Sequence, residues 1–359
     1  MKNKFISSIW EFDNSEEKHL IHNTFRWYGK LPQFLVRRLI TMYSSKNDLV
    51  LANFGGSGTV LVESSISGRD VIVNDMHPIS ILLNNVKAQA FAPDPKNFIN
   101  KIKSKKFPKK PYFDFKDASK WFYKESLIEI QGILEEIKKI KDAKERDFYL
   151  LCLSSIIRDG SKIDSRCVNH IVVDNKKKKI DVVKTFTKSV YDIKKAIDEF
   201  KQNKTNKKIK VIQGDAKNIP SVKDNSIDLV ISHPPYASAV LYYNIYSLVS
   251  TILGYDYDSI RESDMSKGNF KQYIENLKLV LSENFRLLKK KKHMCMIIGD
   301  IRKDGDILTA LPTVIAHGLS IGFQLRDIFI WKLVGKAGMN VARRGNHIDH
   351  NYLVVFLKP

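Results

Sequence analysis

The chain is short of the residues that would staple it together or carry it through a membrane. Its 359 residues include only 3 cysteines, Cys152, Cys167 and Cys295, far apart, with no C-x-x-C pair and no histidine at zinc spacing. That pattern excludes a disulfide framework and a structural metal site and leaves reduced, buried thiols. Long apolar runs are missing as well: stretches such as Ile227 to Ser232 fall far short of the roughly 20 residues that cross a bilayer. Residues 1–13 are charged and polar, with no apolar stretch ending in a small-residue cleavage site, so a cytoplasmic protein without a membrane span is expected. Acidic residues are comparatively few. Against 39 Asp and Glu stand 60 Lys and Arg, giving a net charge of +21 and a pI near 9.6. Such an excess points to a polyanionic partner, nucleic acid before an anionic membrane surface.

The hydrophobic share of 43%, with 10% aromatics, is enough for a sizeable core. At this length, one core with a large insertion, or two domains, is the expectation. The charge is concentrated between Lys101 and Lys210, with 30 Lys or Arg against 16 Asp or Glu. A basic, Pro-punctuated entry (Lys101 to Pro111) and a polar exit (Lys201 to Lys210) have linker composition. Between them Leu127, Ile130, Leu134, Ile137 and Ile140, then Phe148, Leu151, Cys152, Ser155 and Ile156, recur at helical steps. Residues 101–207 therefore read as a mainly helical insertion between residues 1–100 and 208–359.

On either side the pattern changes to short β-rich runs: Leu49 to Phe54, Asp70 to Asn74, Lys210 to Gln213, Ile227 to Ser232, His293 to Ile298, Gln324 to Trp331 and Tyr352 to Leu357. Helical segments such as Thr59 to Ser67 and Phe270 to Leu288 alternate with several of them. This alternation predicts an α/β fold, a doubly wound, mostly parallel seven-stranded sheet whose last two strands pair antiparallel.

Three strand ends carry candidate chemistry. The first is Phe54-Gly55-Gly56-Ser57-Gly58-Thr59, a glycine turn between a strand and a helix, where backbone can approach a ligand closely and helix N–H groups favour an anion. No Lys follows the last Gly, so it is not a P-loop, and the spacing is not G-x-G-x-x-G either, which disfavours a nicotinamide dehydrogenase. Asp75 closes the next strand and suits ribose hydroxyls, while Asp215, with Ala216 beside it, closes a third and suits an adenine amino group. The sharpest signal is His233-Pro234-Pro235-Tyr236. Two prolines stiffen the backbone and remove two N–H donors, so a carbonyl and a polar side chain can grip a planar amine while Tyr236 stacks on its ring. Arg158, Ser161, Arg166, Lys176 and Lys177 lie in polar stretches of the insertion suited to phosphate or base contacts.

In this order the glycine loop, Asp75, Asp215 and Pro-Pro-Tyr resemble the S-adenosylmethionine-dependent DNA amino-methyltransferases, with motifs D-P-F-x-G-S-G-T and (D/N/S)-P-P-(Y/F). The segment Thr24 to Pro32 is similar to the one that, in such proteins, packs beside the methionine end of the cofactor, which adds Phe25 and Trp27 to the cofactor residues Phe54, Gly56, Ser57, Gly58 and Thr59. The resemblance covers about residues 20–90 and 208–358 and makes 1–100 the cofactor half and 208–359 the catalytic half. It implies methyl transfer from S-adenosylmethionine to N4 of cytosine or N6 of adenine in double-stranded DNA, with the base flipped out, no metal, and a restriction enzyme as a conceivable companion. Two departures stand out: Ala52-Asn53 replaces Asp-Pro, and His233 replaces Asp, Asn or Ser. If His233 accepts a hydrogen from the amine, transfer falls as pH drops through the imidazole pKa. The alternatives are an RNA amino-methyltransferase and a catalytically inert, nucleic-acid-binding subunit of the same fold.

Overall fold

The computed structural model describes residues 8–11, 19–166, 171–237, 241–303, 306–333 and 350–359. Ten strands are described: β1 (Ser8–Trp10), β2 (Leu49–Ala52), β3 (Asp70–Asp75), β4 (Ile209–Gln213), β5 (Ile227–Ser232), β6 (Leu288–Ile298), β7 (Ile301–Lys303), β8 (Asp306–Leu308), β9 (Gln324–Lys332) and β10 (His350–Leu357). Eight form one sheet in the order β1-β9-β10-β6-β5-β2-β3-β4, while β7 and β8 form a separate hairpin. From β4 through β6 every pairing is parallel; β10 runs antiparallel to both β6 and β9. The doubly wound sheet and its antiparallel closing pair agree with the expectation.

Alternating side chains bury both faces of these strands. Val50, Ala52, Val71, Val73, Leu229 and Ile231 point into one apolar cluster, and Leu51, Ile72 and Val230 into the other. Helices Gln33–Tyr43, Thr59–Ile66 and Pro78–Gln89 cover the first face; Phe270–Leu287 and Leu311–Ser320 cover the second. Among the described residues between 96 and 203 there are five helices, the longest being Ala143–Gly160 and Val182–Asn203. The 182–203 helix buries Val182, Phe186, Val190, Ile193, Ile197 and Phe200 at three- and four-residue steps. Those side chains belong to the same continuous apolar cluster as the first face of the sheet.

The sheet has eight strands where seven are expected. The extra strand, Ser8–Trp10, pairs parallel to β9 and is only three residues long, too short for a periodicity to show. Its anchor is Trp10, buried against the Phe329 ring at 4.4 Å, with the Arg38 guanidinium 4.2 Å over its own ring.

Candidate active site

Strand order reverses between β2 and β5, which opens a crevice at the carboxyl ends of the parallel strands. The turn after β2 fills that crevice with backbone. Gly56 has φ +47°, and a Cβ there would stand 2.9 Å from Trp27 Nε1; Gly58 has φ +77°, and a Cβ would stand 2.6 Å from Asn84 Oδ1. Both positions therefore require glycine. Beneath the turn, fully buried Lys87 donates to the Ser57 carbonyl at 2.8 Å, and burial pushes its ammonium down to about 7.

The turn is tied to the end of β3. Asp75 accepts the Gly56 N–H at 2.7 Å on Oδ2 and the His77 N–H at 2.8 Å on Oδ1. Burial raises the Asp75 carboxyl above its ordinary value, and the N–H groups of Gly56 and His77 oppose that rise. Asn74 links three strand ends by donating to the carbonyls of Asn53 (3.3 Å) and Gly214 (2.9 Å). After β4, Asp215 accepts the Lys217 N–H at 2.9 Å and pairs with its ammonium at 3.3 Å, next to buried Ala216.

Every residue of β5 is buried, and the strand runs straight into His233. His233 Nε2 lies 2.9 Å from Tyr236 Oη, the two rings meeting edge-on at 5.4 Å. Burial pushes the imidazole down to about 4 and the phenol of Tyr236 up, so both are neutral across the physiological range. A titration at an ordinary imidazole pKa is thereby displaced downward, to about 4. Opposite this turn, Trp27 stacks on Tyr242 at 5.7 Å and Tyr246 at 4.7 Å, and Phe25 packs behind it.

One cleft, about 920 Å³ of empty space with its mouth included, brings these segments together. Trp27, Phe54, Gly56, Ser57, Thr59, Asp75, Asp215, Ala216, His233 and Pro235 all line it. Phe25, Gly58, Pro234 and Tyr236 are not among its lining residues, although Phe25 packs on Trp27 and Tyr236 on His233. Met76, His77, Tyr242, Asp264 and Met265 also line the cleft and were not singled out in the sequence. Of these, Tyr242 carried a signal, since Tyr242 and Tyr246 sit four apart soon after Tyr236. Asp264 is positioned by its fold alone, its carboxylate accepting the N–H and hydroxyl of Ser266.

The basic candidates lie elsewhere and differ in orientation. Ser161 is buried, donates to the Arg158 carbonyl at 2.8 Å and accepts the Ile163 N–H. Lys177 turns inward to the carbonyls of Arg158 (2.9 Å) and Ile163 (3.0 Å), and burial lowers its pKa. Half-buried Arg158 donates to the Asp164 carbonyl and sits 5.6 Å over the Tyr28 ring. Arg166, exposed, is paired with Asp164 at 2.7 Å, and the side chain of Lys176 is exposed. Among the described residues there is no group of His, Cys, Asp and Glu that could hold a metal ion, and no helix long and apolar enough to cross a membrane.

A crevice floored by a glycine turn, in a doubly wound sheet with one reversed strand near its edge, defines a Rossmann-like methyltransferase fold. The model of the N6/N4-type DNA methylase family matches residues 1–83 and 227–359, and the chain belongs to that family, whose methyl donor is S-adenosylmethionine. It is 26% identical to the Type II methyltransferase M.BsoBI of Geobacillus stearothermophilus over 67% of this chain and 54% of the relative, so it spans about half of that protein's length. Among solved structures it is similar to TrmN from Thermus thermophilus (12% identity, 92% of this chain and 50% of that one, TM-score 0.38). A methyltransferase from Methanosarcina mazei described as SAM-dependent matches at 10% identity, over 89% and 96% of the two chains, with TM-score 0.38. A Thermus thermophilus structure complexed with S-adenosyl-L-methionine matches at 19% identity, over 41% and 51%, with TM-score 0.27.

Proposed function

We propose that this chain transfers a methyl group from S-adenosylmethionine to an exocyclic amino group of a DNA base, N4 of cytosine or N6 of adenine. The observation that carries this reading is the convergence of Trp27, the glycine turn, Asp75, Asp215 and His233-Pro235 on one cleft, from strands that are distant in sequence. The cleft suits the cofactor: at Gly56 backbone replaces side chain as the wall, and Asp75 presents a carboxylate held in place by two N–H groups. Bound there, the cofactor supplies a methyl group already activated by its sulfonium.

The remaining work falls to the protein. Asp75 accepts ribose hydroxyls and Asp215 an adenine amine, while Trp27 closes the methionine end, with Phe25 behind it. His233 and the carbonyl of Pro234 hold the amino-bearing edge of the target base in line for transfer, and Tyr236 supports its ring. A base in duplex DNA reaches this cleft only by flipping out, a cost of a few kcal/mol offset by stacking and phosphate contacts. Arg166 and Lys176, exposed on the segment 101–207, are suited to those phosphate contacts, and that segment is the candidate target-recognition region. Restriction-modification is the biological setting that the likeness to a Type II methyltransferase suggests.

The test is to incubate the purified protein with unmethylated bacterial DNA and isotope-labelled S-adenosylmethionine, then digest and identify labelled nucleosides by mass spectrometry. Labelled N4-methylcytosine or N6-methyladenine is expected. Ala52 and His233 favour one competing reading, an inert nucleic-acid-binding subunit. Absence of label on DNA, and on RNA in parallel, would favour that reading or an enzyme awaiting a missing partner, and a protein that binds DNA but not S-adenosylmethionine would be the inert subunit.

A further inference from the structure

The contact between His233 and Tyr236 carries a consequence for what His233 can do. The two side chains share one hydrogen bond, 2.9 Å between Nε2 and Oη, with their rings edge-on. The imidazole is neutral and the phenol keeps its hydrogen, because burial disfavours the charged form of each. One hydrogen therefore lies between them, and its owner decides the tautomer. Were Nε2–H the donor, the phenol hydrogen would need a second acceptor, and among the described residues Oη has no hydrogen-bond partner besides His233. Directed at Nε2, that hydrogen satisfies both groups at once. A phenol is also a stronger donor than a neutral imidazole, and an imidazole nitrogen a stronger acceptor than a phenol oxygen.

We infer that Tyr236 donates to Nε2 of His233 and so fixes the ring hydrogen on Nδ1, making His233 a hydrogen-bond donor to the cleft. Besides supporting the ring of the base, Tyr236 then has a positioning role exerted through His233. This reverses the acceptor role expected from the sequence, and its functional meaning rests on the methyl-transfer reading above. Adenine and cytosine each place a ring-nitrogen acceptor, N1 or N3, directly beside the exocyclic amine, whereas thymine has an N–H there. An Nδ1–H donor matches the first two and meets the third donor to donor, while the amine hydrogens go to a backbone carbonyl. His233 thus selects the amino-bearing bases through the nitrogen next to the amine.

The experiment uses the full-length protein with ¹⁵N-labelled histidine, free of ligand at pH 7, and reads the tautomer from two-bond ¹H–¹⁵N correlations. The His233 signal is assigned by its loss in His233→Asn. The wild type is expected in the Nδ1–H form, and Tyr236→Phe is expected to move His233 to the Nε2–H form that free histidine prefers. A wild-type Nε2–H pattern overturns the inference, as does a folded Tyr236→Phe protein whose His233 signal is unchanged. Should that variant not fold, the wild-type pattern decides alone. None of these readouts needs turnover, so they stand or fall separately from the methylation assay. Where methyl transfer is observed, replacing adenine N1 or cytosine N3 by carbon should slow it roughly tenfold or more. An unchanged rate overturns the contact with the base.

Discussion

In the cleft, the carboxylate of Asp75 is gripped by the N–H groups of Gly56 and His77 and still faces the open crevice. At the end of helix Ala143–Gly160 and in the loop that follows the opposite holds: Lys177, Arg158 and Ser161 direct their polar atoms at backbone carbonyls of the helix end and the loop. One region holds polar groups out for a ligand, and the other uses them to pin its own backbone. A local excess of positive charge therefore overstates the surface available to a polyanion, because part of it is consumed within the fold.

The largest effect that bears on this contrast lies behind the glycine turn. Burial pushes the Glu63 carboxyl up, but hydrogen bonds from His22 (2.9 Å) and Arg37 (2.9 Å) outweigh it and hold it below its ordinary value. His22 is itself pushed down to about 4 by burial, so it is a neutral N–H donor to Glu63 and not half of an ion pair. Replacing Glu63 with Ala should lower stability by about 3 kcal/mol, discounted for the partial exposure of Arg37 and read by denaturant melts. In the wild type the stability from this depressed carboxyl is present above its unfolded pKa near 4.3 and is lost as pH falls through the folded value.

A smaller effect separates two adjacent lysines. Lys177→Met should cost roughly 1–3 kcal/mol, because the carbonyls of Arg158 and Ile163 lose their donor. Lys176→Ala should stay within about 0.5 kcal/mol of wild type, while reducing the salt slope of DNA binding by about 1. Equal stability losses at the two sites would erase the contrast between inward and outward charge. The smallest effect is expected in the pH profile. With the His233 imidazole pushed down to about 4, initial methylation rates should show no step from His233 between pH 5.5 and 8, a step near 7 belonging to Lys87 under the glycine turn and appearing equally in His233→Asn. A decline centred near pH 6.5 that His233→Asn removes would show a solvated His233 and an open site.

Much of the cleft was legible because its chemistry sits at strand ends, where a run of β-branched residues followed by Gly, Asp or Pro announces both the strand and its terminus. Gly56, Asp75, Asp215 and His233 could each be found in that way. Trp27 was reached by resemblance, since the stack with Tyr242 and Tyr246 joins segments more than 200 residues apart. Asp264 had no signal, as its place in the cleft depends wholly on how residues 241–268 fold back. The β1 strand stayed hidden because three residues carry no period. The inward turn of Lys177 was hidden because composition reports the charge of a side chain and not its direction.

If the crevice between β2 and β5 is the cofactor site, calorimetric titration of S-adenosylhomocysteine should separate the wild type from Gly56→Val. A side chain at residue 56 meets Trp27 at 2.9 Å in a left-handed backbone, so the wild type should bind one equivalent and the variant should lose at least a hundredfold in affinity while keeping its circular dichroism spectrum. Equal affinity in the two proteins, or no binding to the wild type, would place the cofactor elsewhere or exclude it.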